Sequence, residues 1–261
     1  MKFTDSHCHL DFDELKQDLS TLLPQCTQLG IHRIVVPSID PSDWQAVLAL
    51  TQFKSDTKIL AALGIHPWFL TDLAEQTLDD LTALLVQKNS SICAIGEAGI
   101  DIPVSEQQNN LNKQLYFFEY QLQLAKQYNL PILIHHRRSH QFIIPLLKKY
   151  QLEKSGIIHG FSGSYQQAVD YLDLGFKLGI GGTITYPRAQ KTISTIKQLP
   201  LTCFVLETDA PAMPLYGFQG QPNTPLQLIK IFEHLVAIRD ESAEKIANQL
   251  EINNNQLFGT H

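Results

Sequence analysis

The chain has 261 residues, of which 44% are hydrophobic and 18% charged, and its formal net charge is −6 at pH 7. No apolar run is long enough to cross a bilayer, and an acidic chain is a poor match for a protein that coats duplex nucleic acid, so we expect neither class. The stretch MKFTDSHCH lacks the basic and apolar segments of a secretory signal, and the four cysteines lack CxxC spacing. These features predict a cytoplasmic protein with free thiols.

Eight apolar runs recur along the chain, and each is followed by a stretch with helical periodicity. In chain order the runs are FTDSHC, RIVVPSI, ILAALGIHP, ICAIGEAGI, PILIHHR, GIIHGFS, KLGIGGTITY and CFVLETDA. The helical stretches are ELKQDLSTLLPQCTQLG, DWQAVLALTQFK, TLDDLTALLVQK, QLYFFEYQLQLAKQYN, FIIPLLKKYQ, YQQAVDYLDLG, QKTISTIKQL and PLQLIKIFEHLVAIR. A last segment, SAEKIANQLEINNNQLFG, is expected to be one more short helix packed on the outside.

This alternation predicts an α/β fold. Continuous apolar runs are typical of parallel strands that are covered on both faces. Eight strand–helix units in a chain of this length favour a (β/α)8 TIM-type barrel over an open sheet. We therefore expect a single barrel domain over residues 1–261.

Polar side chains interrupt the apolar runs near their carboxyl ends, where the functional site of such a barrel lies. They are His7, His9, His66, Glu97, Asp101, His135, His159, Glu207 and Asp209. Taken singly, a histidine at a strand end is more often a hydrogen-bonding partner, and Asp209 before Ala-Pro could cap a turn. Taken together, they must share one mouth, and burying so many ionisable groups is costly unless cations neutralise them.

The ligand types restrict the metal. Imidazoles and carboxylates without a thiolate favour Zn²⁺, Mn²⁺, Fe²⁺ or Co²⁺, and Mg²⁺ can bind where oxygens complete its shell. Six ligands are too many for one open tetrahedral site. The set therefore predicts two divalent metal ions (Zn, Mn or Mg), about 3.5–4 Å apart and bridged by a carboxylate.

The stretch His7-Cys8-His9 offers three candidate ligands in a row. Alternate side chains of a strand share a face, so His7 and His9 are expected to chelate one ion while Cys8 packs against the helices. By the same rule Asp5 would lie on the histidine face and accept from an imidazole N–H. Gly179, Gly181 and Gly182, in LGIGGTITY, predict a close approach of the backbone to a group in the mouth.

The motifs DSHCHL, GIHP, GEAGID, LPILIHHRR, HGFSG and ETDAP extend from residue 5 to residue 211. Their combination and order resemble the TatD-type metal-dependent hydrolases, a deoxyribonuclease family within the amidohydrolase superfamily. The stretches GGTITYPRAQKT and PLYGFQGQPN are similar to the YjjV-like branch of that family.

The resemblance implies a role for each candidate residue. The ligands of the first metal would be His7, His9 and Asp209. The ligands of the second would be His135 and His159, with Glu97 bridging both ions. Asp209 would also be the base that activates water, so the implied catalytic residues are Asp209 and Glu97. His66 would approach the substrate phosphate.

One motif departs from the family pattern. The fifth strand of the family usually reads His, a small hydroxyl residue, Arg and Asp, whereas this chain has His135, His136, Arg137 and Arg138. The change makes the predicted mouth more positive. Since arginine can hold phosphate oxygens with two hydrogen bonds, Arg137 and Arg138 are candidate substrate contacts, and the alternative is a pair of solvated arginines.

The function implied by the resemblance is a metal-dependent phosphodiesterase that acts on DNA ends as a 3′–5′ exonuclease. The alternatives are hydrolysis of another ester or amide, such as a D-aminoacyl-tRNA, and a metal-bound scaffold without activity. The expected partners are nucleic acid ends or a small phosphate ester as substrate, with no membrane and no obligate protein partner.

Overall fold

Within residues 1–87 and 89–259, which a computed structural model describes, eight parallel strands lie side by side in the order in which the chain forms them. They are β1 (Phe3–Asp5), β2 (Ile31–Pro37), β3 (Lys58–Leu63), β4 (Ile92–Asp101), β5 (Ile132–Arg137), β6 (Gly156–Ile158), β7 (Lys177–Ile180) and β8 (Phe204–Leu206). Past the end of β1, the Ser6 N–H donates to the Leu206 carbonyl at 2.9 Å and so joins the first strand to the last. The predicted (β/α)8 barrel is confirmed.

Helices surround the strands. They are α1 (Asp13–Lys16), α2 (Leu19–Gln28), α3 (Trp44–Leu50), α4 (Thr77–Val86), α5 (Ile102–Gln108), α6 (Leu111–Tyr128), α7 (His140–Tyr150), α8 (Tyr165–Leu172), α9 (Gln190–Gln198), α10 (Leu228–Ile238) and α11 (Ala243–Phe258). The sequence did not predict α5, which has only 7 residues and begins where the Asp101 side chain accepts the Val104 N–H. No helix within the described residues is long and apolar enough to cross a membrane.

The strands bury both faces, as the continuous apolar runs predicted. Along β3, Ile59 and Leu63 pack in the layer between strands and helices, whereas Leu60 and Ala62 belong to a separate cluster. That second cluster fills the inside of the barrel with Val35, Leu60, Ala62, Cys93, Ala94, Leu133, Ile157, Val205, Leu257 and Phe258. The interior is therefore a packed core rather than a channel.

The last helix closes the barrel at the amino ends of the strands. Helix α11 has 16 residues, and Phe258 in its last turn is part of the interior cluster. The buried Arg33 of β2 donates to Asn255 Oδ1 at 2.9 Å and to the Gly259 carbonyl at 2.8 Å. The expectation of a short helix on the outside was therefore wrong, because these long-range contacts draw the helix across the barrel floor.

Replacing Phe258 with alanine should lower the free energy of unfolding by about 3–5 kcal/mol, because the floor of the interior loses a buried ring. Ile252→Ala on the same helix is the matched control, since that side chain is 50% exposed. Its effect should stay within about 0.5 kcal/mol. Urea unfolding followed by circular dichroism measures both, and equal losses would contradict this role of Phe258.

Candidate metal centre

The predicted site residues converge at the carboxyl end of the barrel. The side chains that meet there are His7, His9, His66, Glu97, His135, His159 and Asp209. Among the described residues, three sets of donor atoms lie within 4.8 Å of one another: His7, His9 and Glu97; His7, His159 and Asp209; His66, Glu97 and His135. Candidate ligands from segments far apart in the sequence therefore face one mouth.

The His7 and His9 rings face a common point. Their Nε2 atoms are 3.3 Å apart, and the Asp209 N–H donates to the His7 carbonyl at 2.9 Å. The His9 N–H donates in turn to the Ala210 carbonyl at 2.8 Å. These backbone bonds fix the two histidines beside the segment that follows β8, in an arrangement that suits chelation of one ion.

Cys8 is fully buried in the layer between strands and helices, and its prediction as a packing residue is confirmed. Burial raises the pKa of its thiol well above the usual value, which disfavours the thiolate that a metal needs. The reasoning from strand alternation was nevertheless incomplete, because β1 ends at Asp5. Asp5 accepts from the His7 backbone N–H and from the hydroxyl of Thr208, so its expected bond to an imidazole was wrong.

Glu97 lies at the centre of the cluster. Its Oε2 is 3.0 Å from His7 Nε2, and its Oε1 is 3.0 Å from His135 Nδ1. Burial alone would raise the pKa of this carboxyl, but the interactions with His66, His7 and the other imidazoles outweigh burial and hold the pKa well below its usual range. The two oxygens of this buried carboxylate therefore contact different imidazoles, Oε2 that of His7 and Oε1 that of His135.

The backbone of β4 explains how Glu97 reaches this position. The sequence pattern predicted Glu97 near the carboxyl end of its strand, whereas β4 continues to Asp101, and its register with β5 shifts between Ile95 and Ala98. Gly96 has a φ of +133°, and a Cβ on Gly64 would lie 2.6 Å from the Gly96 Cα. Two glycines thus let the strands approach closely where Glu97 enters the barrel.

Asp101 supports His135 from behind. Its Oδ2 is 3.0 Å from His135 Nε2 and accepts the Trp68 indole N–H at 2.8 Å. Burial would raise the pKa of Asp101, but the bonds from His135, Trp68 and Val104 outweigh it and lower the pKa to about 2. The sequence placed Asp101 in the mouth without a role, although its even spacing from Glu97 on one strand could have indicated that both face the same site.

His159 lies with His7 and Asp209. Its ring stacks on that of His7 with centroids 3.6 Å apart, and its Nε2 is 3.6 Å from Asp209 Oδ1. Burial works to lower the pKa of His159, but the carboxylates of Glu207 and Asp209 outweigh it and raise the pKa to about 10. The family resemblance assigned His159 to the same ion as His135, and that division of ligands stays a prediction.

Glu207 is a carboxylate neighbour of the His159 ring, as Asp101 is of the His135 ring. Its Oε1 is 3.1 Å from His159 Nδ1 and accepts the Gly160 N–H at 2.6 Å. A Cβ on Gly179 would collide with the Glu207 carboxylate. Of the three glycines predicted to allow a close approach, Gly179 is confirmed, and the group that approaches it is Glu207. A Cβ on Gly181 would make only an ordinary contact with Glu207, and one on Gly182 would lie 2.8 Å from the Met213 carbonyl oxygen.

The tautomer of His66 follows from its neighbours. His66 Nδ1 accepts the Trp68 backbone N–H at 3.2 Å, and burial lowers the pKa of the ring to about 4. The neutral ring therefore carries its proton on Nε2, which lies 3.4 Å from Glu97 Oε1. A protonated Nε2 can donate to an anion, which suits a phosphate contact better than a metal ligand.

The mouth opens into a cavity of about 570 Å³. The described residues that line it are His9, Phe12, Ile39, His66, Trp68, Phe69, Glu97, His135, His136, Arg137, His159, Gly160, Ser162, Asp209, Ala212 and Met213. Arg137 lines the cavity, with Nη1 3.9 Å from Asp101 Oδ2, whereas Arg138 is exposed outside this set. Of the two arginines predicted as substrate contacts, only Arg137 therefore lines the cavity.

The donor set fits divalent cations. It combines imidazole nitrogens and carboxylate oxygens, lies almost entirely buried, and has carboxylates behind two of its histidines. A barrel with such donors at the carboxyl ends of its strands has the architecture of a metal-dependent hydrolase.

The comparisons with known proteins agree with this architecture. The family described as "TatD related DNase" matches residues 4–259. The uncharacterized metal-dependent hydrolase YjjV of Escherichia coli (strain K12) is 42% identical over 98% of this chain and 98% of its own length. An uncharacterized metal-dependent hydrolase of Haemophilus influenzae (strain ATCC 51907 / DSM 11121 / KW20 / Rd) is 41% identical over 99% of this chain and 100% of its own length.

The crystal structure of YjjV, a TatD homologue from Escherichia coli K12, superposes with a TM-score of 0.94 and 41% identity, covering 99% of this chain and 98% of that one. The chain belongs to the TatD family, and it is a metal-dependent hydrolase of that family.

Replacing Gly179 with alanine should displace Glu207, release the orientation of His159 and weaken divalent metal binding about 10–100-fold. Gly181→Ala is the matched control, because a Cβ there would lie 3.5 Å from Glu207 Cγ, an ordinary contact. Calorimetric titration of metal-free protein with Zn²⁺ or Mn²⁺ measures the affinity. Equal affinity in the two variants would contradict the role assigned to Glu207.

Replacing Cys8 with alanine should leave metal content unchanged, because the thiol is packed in the core. His9→Ala should lower the content, since it removes a ring whose Nε2 lies 3.3 Å from that of His7. Elemental analysis of folded protein purified without chelator compares the two. Loss of metal from a folded Cys8→Ala variant would show that Cys8 is a ligand.

Proposed function

We propose that the protein is a phosphodiesterase that removes nucleotides from DNA ends, as a 3′–5′ exonuclease on single strands. The observation that carries the proposal is the position of Glu97, whose oxygens lie 3.0 Å from His7 Nε2 and 3.0 Å from His135 Nδ1. A buried carboxylate with imidazoles at each oxygen suits a bridge between two ions. The family description as a DNase supports the choice of substrate.

The proposed ligand set is the one that the family resemblance implies. His7, His9 and Asp209 would hold the first ion, His135 and His159 the second, and Glu97 would bridge them. Divalent ions held there supply Lewis acidity, which lowers the pKa of water and offsets negative charge on a phosphoryl group. We also propose that residues 1–261 form one domain, in line with the barrel and with a family match over residues 4–259.

Asp209 is the proposed base. Its side chain is 16% exposed against 4% for Glu97, so it reaches the cavity more openly. Burial would raise the pKa of Asp209, but His159, His9 and His7 outweigh burial and lower it, so the group is a carboxylate at neutral pH. It can therefore accept the proton of an attacking water.

His66 and Arg137 are the proposed phosphate contacts. Both line the cavity, His66 with a proton on Nε2 and Arg137 with a guanidinium that is 56% exposed. Donors of this kind stabilise negative charge that develops on phosphoryl oxygens. Arg138 is not among the residues that line the cavity, so its proposed contact is with a part of the DNA strand farther from the cleaved phosphate.

The shape of the site supports a strand end as substrate. The cavity of about 570 Å³ is closed below by the packed barrel interior. A pocket of this size holds a small molecule or a nucleotide unit rather than a duplex. The net charge of −6 also disfavours an extended nucleic-acid contact outside the mouth.

Replacing Asp209 with asparagine should lower kcat about 10²–10⁴-fold, because an amide cannot accept the proton. Metal content is measured on the same sample, so that loss of the base is separated from loss of an ion. The rate is followed as release of mononucleotides from 3′-labelled single-stranded DNA. Hydrolysis within a few-fold of the wild-type rate, at equal metal content, would refute Asp209 as the base.

A substrate panel tests the proposed function itself. Single-stranded DNA, a generic phosphodiester, a phosphomonoester, a D-aminoacyl-tRNA and a cyclic amide are each assayed with Mg²⁺, Mn²⁺ and Zn²⁺. We expect turnover of the single strand to exceed that of the other compounds. Failure to hydrolyse any phosphate ester with any of the ions would refute the proposal, and turnover of the tRNA ester or the amide would identify the alternative.

A further inference from the structure

One wall of the cavity is aromatic and open to solvent. Trp68 is 45% exposed and Phe69 is 39% exposed, although large apolar side chains of this chain are mostly buried. Met213, 45% exposed, and Phe12 line the same cavity. Neither the proposed metal ligands nor the proposed base accounts for this wall, which suggests that it contacts part of the substrate.

Trp68 is held rigidly despite its exposure. Its indole N–H donates to Asp101 Oδ2 at 2.8 Å, and its backbone N–H donates to His66 Nδ1 at 3.2 Å. The residue lies in the short 3-10 helix Pro67–Phe69, which begins directly after His66. A fixed indole offers contact area without the entropy loss of ordering a mobile side chain.

The orientation of the indole leaves it open to a planar partner. The His66 ring is inclined at 84° to it with centroids 5.3 Å apart, and the His135 ring at 75° with centroids 6.3 Å apart. Neither histidine therefore stacks flat on Trp68. The indole is close enough to His66 for one nucleotide to reach both, with its phosphate at His66 and its base at the indole.

We infer that Trp68 and Phe69 form a stacking surface for a nucleobase adjacent to the phosphate that is cleaved. This inference rests on the proposed function and makes its substrate class specific: a nucleotide chain with bases, rather than any phosphate diester. Stacking on aromatic side chains accepts every base, because every base has a π-face. The surface should therefore distinguish base-bearing from abasic strands, with little preference among bases.

The kinetic test uses two variants that differ in one respect. Trp68→Phe and Trp68→Leu both lose the bond to Asp101, but only the phenylalanine variant keeps an aromatic ring. Stacking is worth about 1–3 kcal/mol per base, so Trp68→Leu should raise KM for single-stranded DNA about 5- to 150-fold relative to Trp68→Phe. On an abasic strand of the same length the two variants should have equal KM.

Tyr116→Leu provides the matched control. Tyr116 is 45% exposed like Trp68 but lies on helix α6, outside the residues that line the cavity. Its KM should equal that of the wild type on both strands. An equal rise of KM on both strands in Trp68→Leu would show that Trp68 only supports Asp101, and the stacking inference would be wrong.

Tryptophan fluorescence tests the contact without turnover. The chain has 2 tryptophans, and Trp44 is 5% exposed, so quenching by a bound base reports on Trp68. A thymidine trinucleotide added to the metal-loaded Asp209→Asn protein should quench the emission, and an abasic trinucleotide should not. The double variant that carries both Asp209→Asn and Trp68→Phe should show no quenching, and quenching that persists in it would overturn the inference.

The two tests separate the inference from the proposed function. If the wild type hydrolyses no phosphate ester, the proposed function fails, whereas quenching by the base-bearing trinucleotide would still support the stacking surface. If the wild type hydrolyses base-bearing and abasic strands with equal KM, the stacking surface fails and the phosphodiesterase activity stands.

Discussion

A buried carboxylate surrounded by imidazoles is the constraint on which the site depends. Glu97 is a carboxylate that is only 3% exposed, and a charge so deeply buried is tolerated only beside hydrogen-bond donors or positive partners. The rings of His7, His66 and His135 lie 3.0–3.4 Å from its oxygens. The backbone allows this contact at two points. The register of β4 with β5 shifts between Ile95 and Ala98, and Gly64 and Gly96 lie close together next to Glu97.

Imidazoles and carboxylates alternate outward from Glu97. Behind His135 lies Asp101, and behind His159 lies Glu207, so the two rings are each held between carboxylates. The bond between His135 and Asp101 fixes the direction of the His135 ring before any ion or substrate arrives. The aromatic wall shares the same framework, because the indole of Trp68 bonds to Asp101. Asp101 therefore supports both the inferred stacking residue Trp68 and the candidate ligand His135.

The sequence predicted the barrel because its strands are continuous apolar runs, and it predicted the residues of the mouth because polar side chains interrupt those runs. It could not predict that Glu97 sits inside a strand, because the register shift depends on a neighbouring strand that is distant in the sequence. Helix α5 was missed because seven residues are too few to show a period. The neighbours of His159 depend on how the barrel curves, which no local pattern records.

The floor formed by α11 also sets the order in which the molecule can be completed during synthesis. Two residues in the last quarter of the chain are needed for the finished structure. The Asp209 backbone N–H donates to the His7 carbonyl, and the Phe258 ring packs into the barrel interior. The first histidines leave the ribosome long before the residues that hold them in place. The complete cluster of candidate ligands therefore cannot form before residue 209 has been synthesised, and the interior cannot be sealed before residue 258 has been.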